Sequence, residues 1–309
     1  MRRPRKEHIK GGSFAQVIRA YLTSPKFDCL AQTTRASYRY VLGLAERPDT
    51  LGAYPVDVIR PALVQAFLDG LSDRPAQQQK AQTALKAVEK WALVRDLLPY
   101  PITTGTEAPG GTGGYEPWSD EQVALAERCC RPHLARVITL ASNTGQRGSD
   151  LVKMRWSDIE EYDGRPGINV TQKKTGLQIW IPFTQELIRA IDTWERRPTF
   201  ILLKENGRPF TRAHLSDLWL HERNARAALA PLRDAGLVLH GLRATAVVRL
   251  RRAGATTGQI AGMVGMSEQM VNRYCRLSVQ RENALAAVHY LDARTKQERP
   301  KPDRLRNGE

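Results

Sequence analysis

Read as apolar and polar positions, the chain changes period twice. From residue 13 to 98 the apolar positions recur at helical spacing. Phe14, Val17, Ile18, Tyr21 and Leu22 form one face, and Tyr38, Val41, Leu42 and Leu44 a second within Gln32–Ala45, with Thr33 or Thr34 placed to cap it. Pro61 suits the first turn of a helix carrying Leu63, Phe67 and Leu68. The longest helix is predicted over 75–98, with Leu85, Val88, Trp91 (or Ala92) and Leu98 inward. Residues 99–117 then lose this periodicity and become rich in Pro, Gly and Thr, which reads as a linker.

Helical spacing resumes at Ser119, a good N-cap before Asp120 and Glu121, and again after Pro132 through Leu134, Val137, Ile138 and Leu140. Over 167–183 the period becomes two: Ile168 and Val170, then Leu177, Ile179, Ile181 and Phe183. Lys173-Lys174-Thr175-Gly176 between them predicts a tight hairpin with lysine at its tip. Helices are predicted over 184–196, 211–232 and 279–293, and a short strand over 200–203. The fold class is therefore mainly α: an all-α N-terminal domain and a mostly helical α+β domain with a small antiparallel sheet. The expected boundaries are a basic arm at 1–12, a helical domain at 13–100, a linker at 101–117, a second domain at 118–293 and a polar tail at 294–309.

Charge narrows the class. Lys and Arg number 47 against 32 Asp and Glu, a net charge of +15, which favours a polyanionic partner. No apolar run approaches the ~20 residues of a spanning helix, and the basic N-terminus has no apolar segment behind it, so a cytosolic protein without a membrane partner is expected. Four cysteines lacking paired spacing point to reduced thiols, and Cys129, Cys130 and His133 lack a fourth ligand, so no metal is expected. On the helical N-terminal domain Arg35, Arg39, Lys80 and Lys86 are placed to project outward as candidate DNA contacts.

The candidate chemistry lies in the second domain. Gly145 and Gly148 bracket Arg147 at a turn before a helix, in TGQRGSDLVKMRW. The stretch from His240 to Arg276 opens HGLR, carries Arg243, Arg249, Arg251 and Arg252 with no acid before Glu268, and ends in NRYCR. Guanidiniums, a histidine and a phenol without opposing carboxylates suit chemistry on a phosphate. Taken in order, Arg147, the hairpin lysine, His240-x-x-Arg243 and Tyr274 resemble the tyrosine recombinase (phage integrase) family over about residues 13–290. The resemblance implies Arg147 and Arg243 as phosphate-binding arginines, Lys174 (rather than Lys173) as the catalytic lysine, and His240 beside them. It further implies Asp150 as the supporting acid three residues after Arg147, and Tyr274 as the nucleophile. Where the family usually carries His or Trp after a glycine, this chain has Met266; without a deletion the slot falls on Gly265.

The same resemblance implies a core-binding domain N-terminal to the catalytic one. It implies cleavage and rejoining of double-stranded DNA through a 3′-phosphotyrosyl link with no cofactor. It also implies a homotetramer on two recombination sites passing through a Holliday junction, in a bacterial or phage-encoded, nucleoid-associated protein serving a mobile element. Lys173, Arg249, Arg251 and Arg252 join the candidate DNA contacts. Two other readings stand beside it. Ala261, Gly265 and Val271 have helix-turn-helix spacing, which fits a non-cleaving DNA-binding regulator; a type IB topoisomerase shares the chemistry.

Overall fold

A computed structural model describes residues 12–109 and 115–278, with 284–285, 287–289 and 291–292. The arm, the tail and most of the helix expected at 279–293 lie outside these residues. The chain divides into two compact units, Met1–Gly113 and Gly114–Glu309. Among the described residues no helix is long and apolar enough to cross a membrane.

The first unit is helical throughout: α1 (Phe14–Leu22), α2 (Pro25–Asp28), α3 (Gln32–Ala45), α4 (Pro61–Asp69) and α5 (Pro75–Leu93). Proline begins α2, α4 and α5, where its missing N–H costs no helical bond. The apolar faces read from the spacing meet in one core, in which Phe14, Ile18, Phe27, Leu42, Leu68 and Leu85 are fully buried. Tyr21 stands edge-on to both Phe27 and Trp91. Two expectations fail in detail. The cap of α3 is Ala31, which makes no side-chain bond, so neither Thr33 nor Thr34 starts that helix. And α5 stops at Leu93 rather than 98, because the chain turns through a left-handed Asp96 (φ 57°).

That turn changes the reading of the linker. Leu98, Ile102 and Thr103 are buried in the first unit, and one carboxylate oxygen of Glu89 accepts from the backbone N–H groups of Ile102 (2.6 Å) and Thr103 (2.5 Å). Gln82 donates to the Thr106 carbonyl (2.6 Å), and Glu107 N–H donates to Gln65 (2.7 Å). Pro, Gly and Thr content therefore marked as linker a segment whose backbone is held by side chains of α4 and α5.

The second unit runs α6 (Asp120–Cys129), α7 (Pro132–Thr144), α8 (Gly148–Leu151), β1 (Ile159–Tyr162), β2 (Arg165–Thr171), β3 (Gln178–Pro182), α9 (Gln185–Asp192), α10 (Arg212–Ala225), α11 (Ala230–Asp234), α12 (Gly241–Arg252), α13 (Thr257–Val264) and α14 (Glu268–Ser278). The sheet is antiparallel in the order β1-β2-β3, with Ile168 paired to Ile159 on one side and to Ile181 on the other. The expected hairpin is thus its inner and one outer strand. The remaining strand joins through a turn in which Asp163 and Gly164 both have positive φ. Residues 200–203 form isolated bridges (Arg155 with Phe200, Leu203 with Pro209) rather than a strand. The helix expected over 211–232 breaks at Arg226, whose backbone is extended, and resumes as a 3₁₀ turn and α11.

Two cores fill this unit. The larger gathers Trp118, Leu134, Ile138, Leu140, Ile168, Ile181, Leu215 and Trp219 from the helices and the sheet. The smaller is Val247, Ile260, Val264, Val271 and Cys275, packed between α12, α13 and α14, with Met266 and Tyr274 half-buried against it. Mainly helical architecture with one small antiparallel sheet is the fold class that the patterning predicted.

Candidate active site

Arg147 and His240 cap helices, Lys174 stands in a hairpin turn, Arg243 lies one turn into α12 and Tyr274 within α14. α7 ends at Gly145, which is left-handed (φ 64°), and two residues later Arg147 caps α8 from extended backbone (φ −69°, ψ 148°). The guanidinium of Arg147 donates through Nη1 to Gln172 Oε1 at 2.9 Å and stands 4.0 Å from Asp150, one turn on. Asp150 is buried and accepts the Lys173 N–H at 3.0 Å, so a single carboxylate ties Arg147 to the base of the hairpin turn. The turn itself is closed by Gln172 N–H to the Leu177 carbonyl (2.9 Å) and Gly176 N–H to the Gln172 carbonyl (2.8 Å). Lys173 and Lys174 are exposed on it.

His240 is the N-cap of α12, with Gly241 behind it. A Cβ on Gly241 would lie 2.4 Å from the Glu116 carbonyl and 2.9 Å from the Trp118 indole, so the glycine lets residues 116–118 pass close behind the histidine. The ring of Tyr115 meets His240 edge-on, centroids 4.8 Å apart. One turn into α12, Arg243 is only 3 % exposed. It donates through Nη1 to the carbonyls of Gly145 (2.6 Å) and Val264 (3.2 Å), and through Nη2 to that of Gly265 (3.3 Å). This guanidinium is held by three backbone carbonyls drawn from the ends of α7 and α13.

The end of α13 is a left-handed cap at Gly265 (φ 67°), whose N–H and that of Met266 both reach the Ala261 carbonyl, at 2.9 and 3.2 Å. A Cβ at Gly265 would lie 2.4 Å from Gln172 Nε2. Gly265 is therefore the turn glycine, and Met266 is the first side chain after it, turned into the small core that also receives Tyr274. Tyr274 lies on α14 within electrostatic range of Arg243.

Burial and charge act together here. Burial first, then the cations Arg243, Arg147, Arg212 and Lys174, push the His240 imidazole down to about 4, so it is neutral at pH 7. Burial and the neighbouring Arg147 lower Arg243 to about 10, partly offset by Tyr274 and Asp150. Arginine, lysine, histidine and tyrosine from five segments thus share one electrostatic neighbourhood. Such a cluster holds anionic oxygens and supplies a neutral imidazole as proton acceptor.

The other candidate cations are placed differently. Arg249 pairs with Asp120 (2.6 Å) and approaches Glu186 (3.8 Å). Arg251 donates to the Ala255 carbonyl (3.3 Å), and Arg252 is exposed. In the first unit Arg35 faces Asp28 at 3.7 Å, Arg39 lies over the Phe27 ring, and Lys80 and Lys86 are exposed on α5. Sequence reasoning missed three neighbours of the site: Arg212, at the first turn of α10 with no ion pair among the described residues, and the buried amides Gln146 and Gln172. Arg212 carries no motif, and a glutamine before Arg147 and another before Lys173 give no signal until their partners are known.

No curated protein matches this chain. Among solved structures the fold is similar to a lambda integrase dimer bound to a COC′ core site (TM-score 0.68, 19 % identity, 85 % of this chain and 77 % of that one). It is also similar to residues 75–356 of lambda integrase bound to DNA (0.69, 17 %, 86 % and 97 %). A third likeness is the Tn1549 transposon integrase, residues 82–397, in complex with circular intermediate DNA (0.67, 15 %, 85 % and 95 %). At these identities the likeness concerns the fold. The model of the Phage integrase family matches residues 119–281, more than half of the 309 residues. This chain belongs to the phage integrase family, the tyrosine recombinases.

Proposed function

We propose that this chain is a site-specific recombinase that cuts and rejoins duplex DNA through Tyr274. The observation that carries the reading is the placing of Arg147, Lys174 and Arg243 around a buried His240, whose imidazole burial first and then these cations push down to about 4. A cluster so positive is short of one thing, an anion, and a phosphodiester fits it.

In this reading Arg147 and Arg243 bind the non-bridging oxygens, on which charge concentrates during in-line displacement. The Tyr274 Oη forms a bond to phosphorus as its proton passes to His240, whose neutral state leaves Nε2 or Nδ1 free to accept it. The bond from phosphorus to the 5′ oxygen breaks, and Lys174 on the hairpin tip supplies the proton that this oxygen needs. The product is a 3′-phosphotyrosyl link and a free 5′-hydroxyl, and attack by another 5′-hydroxyl reverses the step onto a new strand. None of these residues calls for a metal or nucleotide. Asp150 holds the hairpin and Arg147 together and touches no reacting atom.

The first unit, with Lys80 and Lys86 exposed on α5, serves as the core-binding domain that contacts the duplex, within a chain of net charge +15. Lambda integrase has been solved as a tetramer bound to a Holliday junction, and a homotetramer acting on two sites, for integration or excision of a mobile element, is the corresponding assembly here.

The test uses duplexes selected for binding from a randomised library, nicked so that the cleaved end is lost, and a denaturing gel. The full chain forms a covalent protein–DNA adduct, and Tyr274→Phe forms none. An undiminished adduct from Tyr274→Phe removes the nucleophile assignment. Tight binding without any adduct favours the non-cleaving regulator, which the α13–turn–α14 geometry around Gly265 also fits.

A further inference from the structure

Gln172 is fully buried at the mouth of the hairpin turn, and its carboxamide is used to capacity. Oε1 accepts from Arg147 Nη1 (2.9 Å) and from the Thr175 hydroxyl (3.1 Å). Nε2 donates to Gln146 Oε1 (2.8 Å) and to the Val264 carbonyl (2.9 Å). The two ends cannot be exchanged: arginine only donates and a carbonyl only accepts, so the partners fix which end is oxygen. Gln146 completes the arrangement, donating to the Thr144 and Val264 carbonyls (3.2 and 3.1 Å). Gly265 leaves the space in which this amide lies.

We propose that Gln172 is a positioning residue for the reaction: one amide sets the direction of the Arg147 guanidinium, the closed form of the hairpin that carries Lys174, and the turn that leads into the Tyr274 helix. The inference rests on the recombinase reading above and adds to it a residue outside the expected constellation. Its chemistry is specific. A carboxylate at this position would hold Arg147 as well, but it would neutralise the charge meant for a phosphate and could not donate to Val264 or Gln146. A neutral amide orients one N–H of the guanidinium and leaves the charge intact.

The experiment measures, for the full chain on the nicked duplex, the rate of adduct formation at saturating DNA and the Kd for intact duplex separately. Gln172→Met, which keeps the length and removes every side-chain hydrogen bond, is expected to slow the adduct by about 10–100-fold, since small misplacements near the chemistry cost up to ~10²-fold. Its Kd should stay within about threefold. In an Arg147→Lys background the same change is expected to cost much less, because the two act as a unit. Full additivity there, or an undiminished rate in Gln172→Met, overturns the proposal. Gln172→Glu guards against a misfolded Met variant. Its rate relative to the unaltered chain should rise as pH falls, because a protonated carboxyl mimics the amide; a ratio independent of pH overturns the proposal equally. If the unaltered chain forms no adduct, the recombinase reading fails first, and the result is distinguishable from a failure at Gln172.

Discussion

The interiors of the two units are built on different rules. In the first, the buried polar side chains among the described residues are Ser24, Gln78 and Thr103, and aromatic and aliphatic contacts fill the rest. In the second, Ser142, Asn143, Thr144, Gln146, Asp150, Gln172, Glu222, Arg243 and Thr245 are all buried. Several of them (Gln146, Asp150, Gln172 and Arg243) lie within the same network of bonds around Val264 and Arg147. Buried polar groups cost stability unless each finds a partner, and in exchange they fix directions that apolar contacts leave free. A core that only has to be full tolerates substitution by volume. A core that has to aim guanidiniums does not.

Arg243 should break the contrast most visibly. Arg243→Met leaves the Gly145 and Gly265 carbonyls without their donor, at roughly 1–3 kcal/mol each, and removes the proposed phosphate ligand, expected to be worth on the order of 10²-fold or more in rate. Thermal unfolding and adduct formation should both fall. Leu85→Ala, at a fully buried position of the first unit, is expected to cost about 2–5 kcal/mol of that unit's stability. The adduct rate per folded, DNA-saturated molecule should not change. A loss of rate as large as that in Arg243→Met would erase the distinction between the two interiors.

A smaller effect comes from pH. The His240 imidazole is pushed down to about 4, below its unfolded value near ~6.5, so the unfolded chain binds more protons between those two values. Its contribution to stability is therefore complete above about pH 6.5 and is lost as pH falls toward 4. His240→Gln should flatten that part of the unfolding profile, and an unchanged slope would place the imidazole in a less positive setting. Smallest of all is Met266→His. The half-buried Met266 packs in the core beside Tyr274, and an imidazole there supplies a donor, so adduct formation should be equal or a few-fold faster. A marked loss would show that this side chain serves packing alone.

Much of this was legible because residues with fixed local consequences announce themselves. Prolines opened α4, α5 and α7, and the period-two run gave the β2–β3 pair with Lys174 at its turn. The family motifs named Arg147, His240, Arg243 and Tyr274 in order. What stayed hidden depends on partners distant in sequence. Residues 101–107 read as linker because their bonds come from Glu89, Gln82 and Gln65. Gln146 and Gln172 carried no signal because their partner is a carbonyl about ninety or more residues away. The remaining strand was missed although Asp163-Gly164 is a strong hairpin dipeptide, because IEEY ahead of it looks too acidic and too exposed to be a strand.

That strand gives the sheet a consequence of its own. β2 carries a turn at each end, and its seven residues separate them by roughly 23 Å. At one end stand Asp163 and, along β1, Glu160 and Glu161, with Arg165 offsetting one of the three; at the other stand Lys173 and Lys174. The hairpin stack is therefore a small electrical needle set into a chain whose overall charge is positive. Net charge draws a polyanion in without telling it which way round to arrive, whereas a dipole of this length does. A nucleic-acid backbone approaching the β1 end would meet carboxylates and one approaching the other end would meet lysines, a bias that acts during diffusion, before any side chain touches a phosphate.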